Sequence, residues 1–151
     1  VYIAASIGMA ASGKPATLAD LANTILTINL DVNAKIDEVF ILDSIRDILS
    51  TYFTTANVTL GQTVDISSLN NQILSINGIK SVSTGRTDST LSVEGLSLIL
   101  WNPIYPVGDI NSFTQNIKLD NFKFLYLYNI DDIMDRVVIN TVAKKQQQIE
   151  F

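Results

Sequence analysis

The chain has 151 residues, is 47% hydrophobic and 17% charged, and carries a formal charge of −5 from 10 basic and 15 acidic side chains. It contains no cysteine and no histidine, which excludes disulfides, thiolate metal sites, Cys nucleophiles and every mechanism that uses imidazole. The densest basic spot is Lys144-Lys145, too little for a phosphate-neutralising face, and no apolar run approaches the ~20 residues that span a bilayer, so nucleic acid and membrane are not expected partners.

Val1–Ile7 reads as a strand of β-branched and aromatic residues, and Gly8–Pro15 as a small-residue loop. The chain opens at Val1 inside this strand, which points to a fragment of a longer protein. Thr17 is placed to cap a short helix through Asn23 with Leu18, Leu21 and Ala22 on one face. Thr24–Val32 alternates, with Leu26, Ile28, Leu30 and Val32 on one side and Thr27, Asn29 and Asp31 on the other, the pattern of a half-buried strand.

Asp37–Phe53 carries the clearest helical pattern: Ile41, Leu42, Ile45, Ile48, Leu49, Tyr52 and Phe53 recur at three- and four-residue spacing, opposite Asp43, Arg46, Asp47 and Ser50. Thr55–Val58 is a loop and Gln62–Asp65 is extended. Asp65 or Ser67 can cap a second helix over Ser67–Ser75 that carries Leu69, Ile73 and Leu74, and Asn77-Gly78 supplies its stop. Ile79–Ser83 reads as a strand with an edge open to a partner, Thr84–Ser92 as a polar loop holding a soft domain boundary, and Leu96–Trp101 as an apolar strand. Pro103, Pro106 and Gly108 mark an irregular stretch. Phe122–Tyr128 alternates again, with Phe122, Phe124, Tyr126 and Tyr128 facing one way and Lys123, Leu125 and Leu127 the other. Asp131–Asp135 is a helical turn and Lys144–Gln148 a polar tail.

Helices and strands mix without a strict βαβ rhythm, which predicts an α+β fold of small mixed sheets with two amphipathic helices packed on one face. The expected division is an α+β domain at 1–85 and a mainly β region with a polar tail at 86–151.

Three features imitate chemistry. Gly8-Met9-Ala10-Ala11-Ser12-Gly13-Lys14-Pro15 matches the phosphate loop G-x-x-x-x-G-K-[ST] except at its last position, where Pro15 replaces the magnesium-binding hydroxyl and removes a backbone N–H. Val39–Asp43 resembles the partner strand with its magnesium-side carboxylate, but Asp43 lies within the strongest helical stripe. Asp131, Asp132 and Asp135 lack the alternating oxygen ligands and glycine of a calcium loop and suit a first helical turn, where acids complement the dipole. A Ser–Lys pair built on Lys14, Lys35 or Lys80 is singled out by nothing in the spacing, and Asn57-Val58-Thr59 is a glycosylation sequon without further sign of secretion. No catalytic residue, metal, cofactor or small-molecule substrate is expected. The aromatic residues Trp101, Tyr105, Phe122, Phe124, Tyr126 and Tyr128 are the candidate interface, since aromatics dominate cores and interfaces alike.

The stretch Asn57–Ser83 carries Leu60, Gly61, Val64, Leu69, Ile73, Ile76, Gly78, Ile79 and Val82 in a pattern that resembles the wedge and J-like proteins of contractile-tailed phage baseplates. The preceding helix ending Tyr52-Phe53, the opening strand, and Asn121–Tyr128 followed by Asn129-Ile130-Asp131-Asp132 are similar to segments of the same family. The resemblance spans most of 36–140 and rests on packing residues. It implies a structural, non-enzymatic subunit of the virion tail, assembled in the host cytoplasm, that contacts copies of itself and other baseplate proteins. Two alternatives come from the residues themselves: a nucleotide-binding enzyme built on Gly8–Lys14, and a secreted adhesion module.

Overall fold

The computed structural model describes residues 2–10, 16–31, 35–54, 59–102 and 111–141. In chain order the elements are β1 (Tyr2–Ile7), α1 (Leu18–Asn23), β2 (Thr24–Leu30), α2 (Glu38–Tyr52), β3 (Thr63–Val64), α3 (Ile66–Leu74), β4 (Ile79–Arg86), β5 (Ser92–Glu94), β6 (Leu98–Trp101), β7 (Asn111–Phe113), β8 (Ile117–Lys118), β9 (Phe124–Leu127), α4 (Ile130–Asp135) and β10 (Val137–Thr141). The class is α+β, as the sequence predicts.

One four-stranded sheet has the order β7-β6-β1-β9, the other β10-β2-β4-β5, and β3 pairs with β8. Both four-stranded sheets are mixed. β1 runs antiparallel to β6 and parallel to β9, in register Ala4 opposite Trp101 and opposite Tyr126. β2 runs antiparallel to β4 and parallel to β10, with Ile28 opposite Val82 and Ile139.

This topology corrects the division at 85/86. β1 sits between two strands from beyond residue 97, and β10 closes the sheet that β2 and β4 begin. The two stretches share sheets and core. β4 is covered by β2 on one side. On the other, β5 pairs only with Ser83–Gly85 and the Gly95 N–H donates to the Val82 carbonyl, so among the described residues no strand pairs with the outer side of Ile79–Ser81.

α2 forms where the three-and-four spacing of Ile41, Ile45 and Leu49 buries one stripe. Asp37 caps it, accepting from the Val39 N–H at 3.0 Å. α3 buries Ile66, Leu69 and Ile73, and Asp65 caps it through the Ser68 N–H at 2.9 Å. Gly78 then turns the chain at φ +97°, a conformation that an L side chain resists. Leu26, Ile28, Leu30, Ile45, Leu69, Ile73, Val82, Leu98 and Leu125 meet in the main core. Each such side chain contributes roughly 1.5–3 kcal/mol of transfer free energy.

Two local readings change. In α1 only Leu21 of the expected apolar face is buried; Leu18 and Ala22 are exposed and Asp20 is buried instead. The polar segment from Thr84 is no loop at its start, since β4 runs on to Arg86 with Thr84 and Gly85 buried. Thr84 is accommodated because its Oγ1 donates to the Gly95 carbonyl at 2.9 Å and accepts from the Ser97 N–H at 3.1 Å.

Candidate interaction surface

The sheet around β1 is buried on both faces, which places the aromatic residues. Ala5, Ile7, Leu98, Leu100 and Leu125 face the main core. The alternate residues Ala4, Ile99 and Trp101 face the other way, into a smaller cluster closed by Ala16 and Leu21, with Tyr126 packed against it. Trp101 is therefore buried, an anchor within the subunit and not a surface residue. Tyr128 lies just past the end of β9, half exposed, with its ring edge-to-face on Trp101 at 5.1 Å between centroids. Phe124 and Tyr126 are half-buried. Phe122 precedes β9 and is 79% exposed. The alternating stripe thus divides between a rear cluster and the surface, and Tyr105 lies outside the described residues.

The exposed end of this set has a neighbour from elsewhere in the chain. The Gly61 N–H donates to the Lys123 carbonyl at 2.8 Å, and Lys118 Nζ donates to the Gly61 carbonyl at 2.9 Å. Gly61 holds φ +68° and a Cβ there would lie 3.2 Å from the Asn121 Cα. The turn carrying exposed Leu60 is thereby seated on the turn carrying Phe122. A second pair of large apolar side chains, Val39 at 60% and Phe40 at 54% exposure, stands in the first turn of α2. Their signal in the sequence is two apolar residues out of phase with the buried stripe of Ile41, Ile45 and Leu49.

Charged groups tie elements together. The Arg136 guanidinium donates through Nη1 to the Ile7 and Thr24 carbonyls, both at 3.1 Å, and through Nη2 to Ser6 Oγ at 2.7 Å. Its Nε lies 3.5 Å from the Asp132 carboxylate. One side chain thus joins β1, β2 and α4. Desolvation in this position pulls the Arg136 pKa down, against the pull of Asp132. Arg86 pairs with buried Asp20 and with Asp88, whose carboxyl it holds below the ordinary range. Asp20 also completes a capping box with Thr17, accepting from the Thr17 N–H at 2.6 Å. Asp65 is likewise held low by the Ser68 N–H and the Ser67 hydroxyl, and burial raises the Tyr52 phenol, whose oxygen accepts from the Asp65 N–H at 2.7 Å.

The features that imitated chemistry have structural places. Gly8 is buried at the end of β1, its N–H donating to the Ser97 carbonyl at 3.1 Å. A Cβ on it would come within 1.8 Å of Ile99 Cδ1, so close packing accounts for the glycine. Lys14 lies outside the described residues. Asp43 is exposed on α2. Asp131 and Asp132 occupy the first turn of α4 under the Asn129 cap and pair with Arg46 and Arg136. Among the described residues no group of three or more His, Cys, Asp or Glu is placed to hold a metal, and no helix is long and apolar enough to cross a membrane. A cleft of about 120 Å³ between Ile3, Leu100, Phe113, Ile117 and Leu119 offers only Asn102 and Lys123 as polar side chains. It is well below the roughly 300–1,000 Å³ of typical ligand sites.

No family model matches the chain, and no curated protein matches it.

Proposed function

We propose that the chain is a structural subunit of a phage tail baseplate wedge that acts through packing against copies of itself and against other baseplate proteins. What carries this reading is the behaviour of the segment on which the family resemblance rests. Val64, Leu69, Ile73, Ile79 and Val82 are core residues, and Gly61 and Gly78 are its two left-handed turns. All but Leu60 of the positions that carry the resemblance are thus core or turn positions, with Ile76 half-buried against the core, which suits a module that works by packing. The second support is the amount of large apolar surface left outside, at Val39, Phe40, Leu60, Leu91, Phe122 and Tyr128.

The nucleotide-binding alternative loses one of its two glycines to packing, because Gly8 lies under Ile99. No observation favours the adhesion alternative. The test is genetic context followed by reconstitution. Genes for tail and baseplate proteins flanking this reading frame, and co-purification of the chain with their products, are the expected results. A chain that ignores those products, or binds nucleotide at micromolar concentration, contradicts the proposal.

A further inference from the structure

The longest helix among the described residues keeps one face exposed, with Val39 at 60% and Phe40 at 54% exposure. At about 100° per residue, Val39, Phe40, Asp43 and Asp47 share one side of α2, linked by the three- and four-residue spacings that bring helical side chains together. All four are exposed, opposite buried Ile41, Ile45 and Leu49.

Local helix chemistry does not account for the apolar pair. The capping group is Asp37. The hydrophobic-staple positions are Ile36, which packs against the core, and Ile41 within it. Phe40 stands where a capping box would carry Glu or Gln, and β-branched Val39 is a poorer helix former than the polar residues common on exposed faces. The two carboxylates add mutual repulsion at i,i+4. Among the described residues neither has an ion-pair partner, and Arg46, the helix's basic residue, is engaged by Asp131 on α4.

We propose that this face of α2 is a docking site for a cationic amphipathic segment of a partner protein, with apolar side chains covering Val39 and Phe40 and Lys or Arg meeting Asp43 and Asp47. The charges choose the occupant. The same face of a second copy would set carboxylates against carboxylates, and anionic phospholipid or nucleic acid would be repelled. The inference rests on reading the chain as an interaction protein and names the chemistry of one partner.

The test uses three synthetic peptides of equal length: one with Leu at helical spacing among Lys, one with Leu among Glu, and one with Ser among Lys. Only the Lys/Leu peptide is expected to bind, with amide shift changes centred on residues 38–47. Phe40→Ser should weaken it at least about tenfold, the scale of an interface hot spot. Asp43→Asn with Asp47→Asn should weaken it several-fold and flatten its salt dependence. Both sites are exposed, and unchanged denaturation midpoints verify folding. Absence of Lys/Leu binding at millimolar peptide, equal binding of the Glu/Leu peptide, or binding indifferent to Phe40→Ser overturns the site. Assembly with tail proteins that survives such a failure leaves the baseplate reading standing. Peptide binding without any assembly removes the baseplate reading and leaves the site.

Discussion

Substituting Gly8 by Ala separates a packing glycine from a phosphate-binding one. The added methyl would sit 1.8 Å from Ile99 Cδ1, 2.0 Å from its Cγ1 and 3.0 Å from its Cβ. Ile99 cannot swing into solvent, because it is 1% exposed and clustered with Ala4, Leu21 and Trp101. Overpacking of this kind costs about 1–3 kcal/mol. In a chain of this size each kcal/mol lowers the melting temperature by about 2–4 °C. Ile99→Ala removes the two clashing atoms and by itself costs about 2–5 kcal/mol for the lost buried side chain. The double variant should be more stable than the sum of the single losses by about 1–2 kcal/mol, the coupling expected of residues in contact. Equilibrium denaturation of the four proteins measures this directly. A Gly8→Ala variant within about 0.5 kcal/mol of wild type, the range of an ordinary surface change, refutes the packing account. So does strict additivity.

Three further outcomes rest on other parts of the fold. Arg136→Met leaves the Ser6 hydroxyl and the Ile7 and Thr24 carbonyls without this donor, and should cost about 2–4 kcal/mol in urea denaturation; a loss below about 0.5 kcal/mol would dismiss the clasp. Asp65 has a lowered native pKa, so its contribution is present above the ordinary carboxylate pKa of about 3.9 and fades as pH falls through the lowered value. Asp65→Asn keeps a capping side chain but cannot titrate, so between neutral pH and about pH 2.5 its melting temperature should fall less than that of wild type; parallel curves contradict this. Gly78→Ala should cost about 1–2 kcal/mol, because φ of +97° is unfavourable for an L side chain, and an unchanged midpoint would exclude strain at that turn.

What the sequence disclosed follows from where the physics is local. The three-and-four spacing of Ile41, Ile45 and Leu49 and the alternation of Leu26, Ile28 and Leu30 are one-dimensional records of burial on one side, and both elements form as read. The caps Thr17 and Asp65 were visible for the same reason, since a cap bonds within three residues. Pairings decided by distant partners were not visible. The parallel union of β10 with β2 joins Val137 to Leu26, and no local signal announces it. β4 outran its reading because Thr84 is polar in composition but satisfied by Gly95 and Ser97, residues that reach it only through the β4–β5 turn.

The aromatic set shows the same limit. Alternation alone put Phe122 through Tyr128 on one face, but β9 spans only Phe124–Leu127. Phe122 lies before β9 and reaches the surface. Tyr128, just past its end, still donates its N–H to the Ala5 carbonyl and keeps the Trp101 side, half exposed at the rim of the cluster that buries Trp101. The Val39–Phe40 pair escaped because it lies in the same helix as the dominant stripe and out of phase with it.

Whether this chain mates with other subunits decides between the proposed role and its rivals. Sedimentation velocity of the purified chain, alone and mixed with the products of the neighbouring reading frames, is the direct measurement. It should show concentration-dependent self-association and a faster-moving complex in the mixture. A single monomeric species at every concentration, unchanged by those proteins, would contradict it.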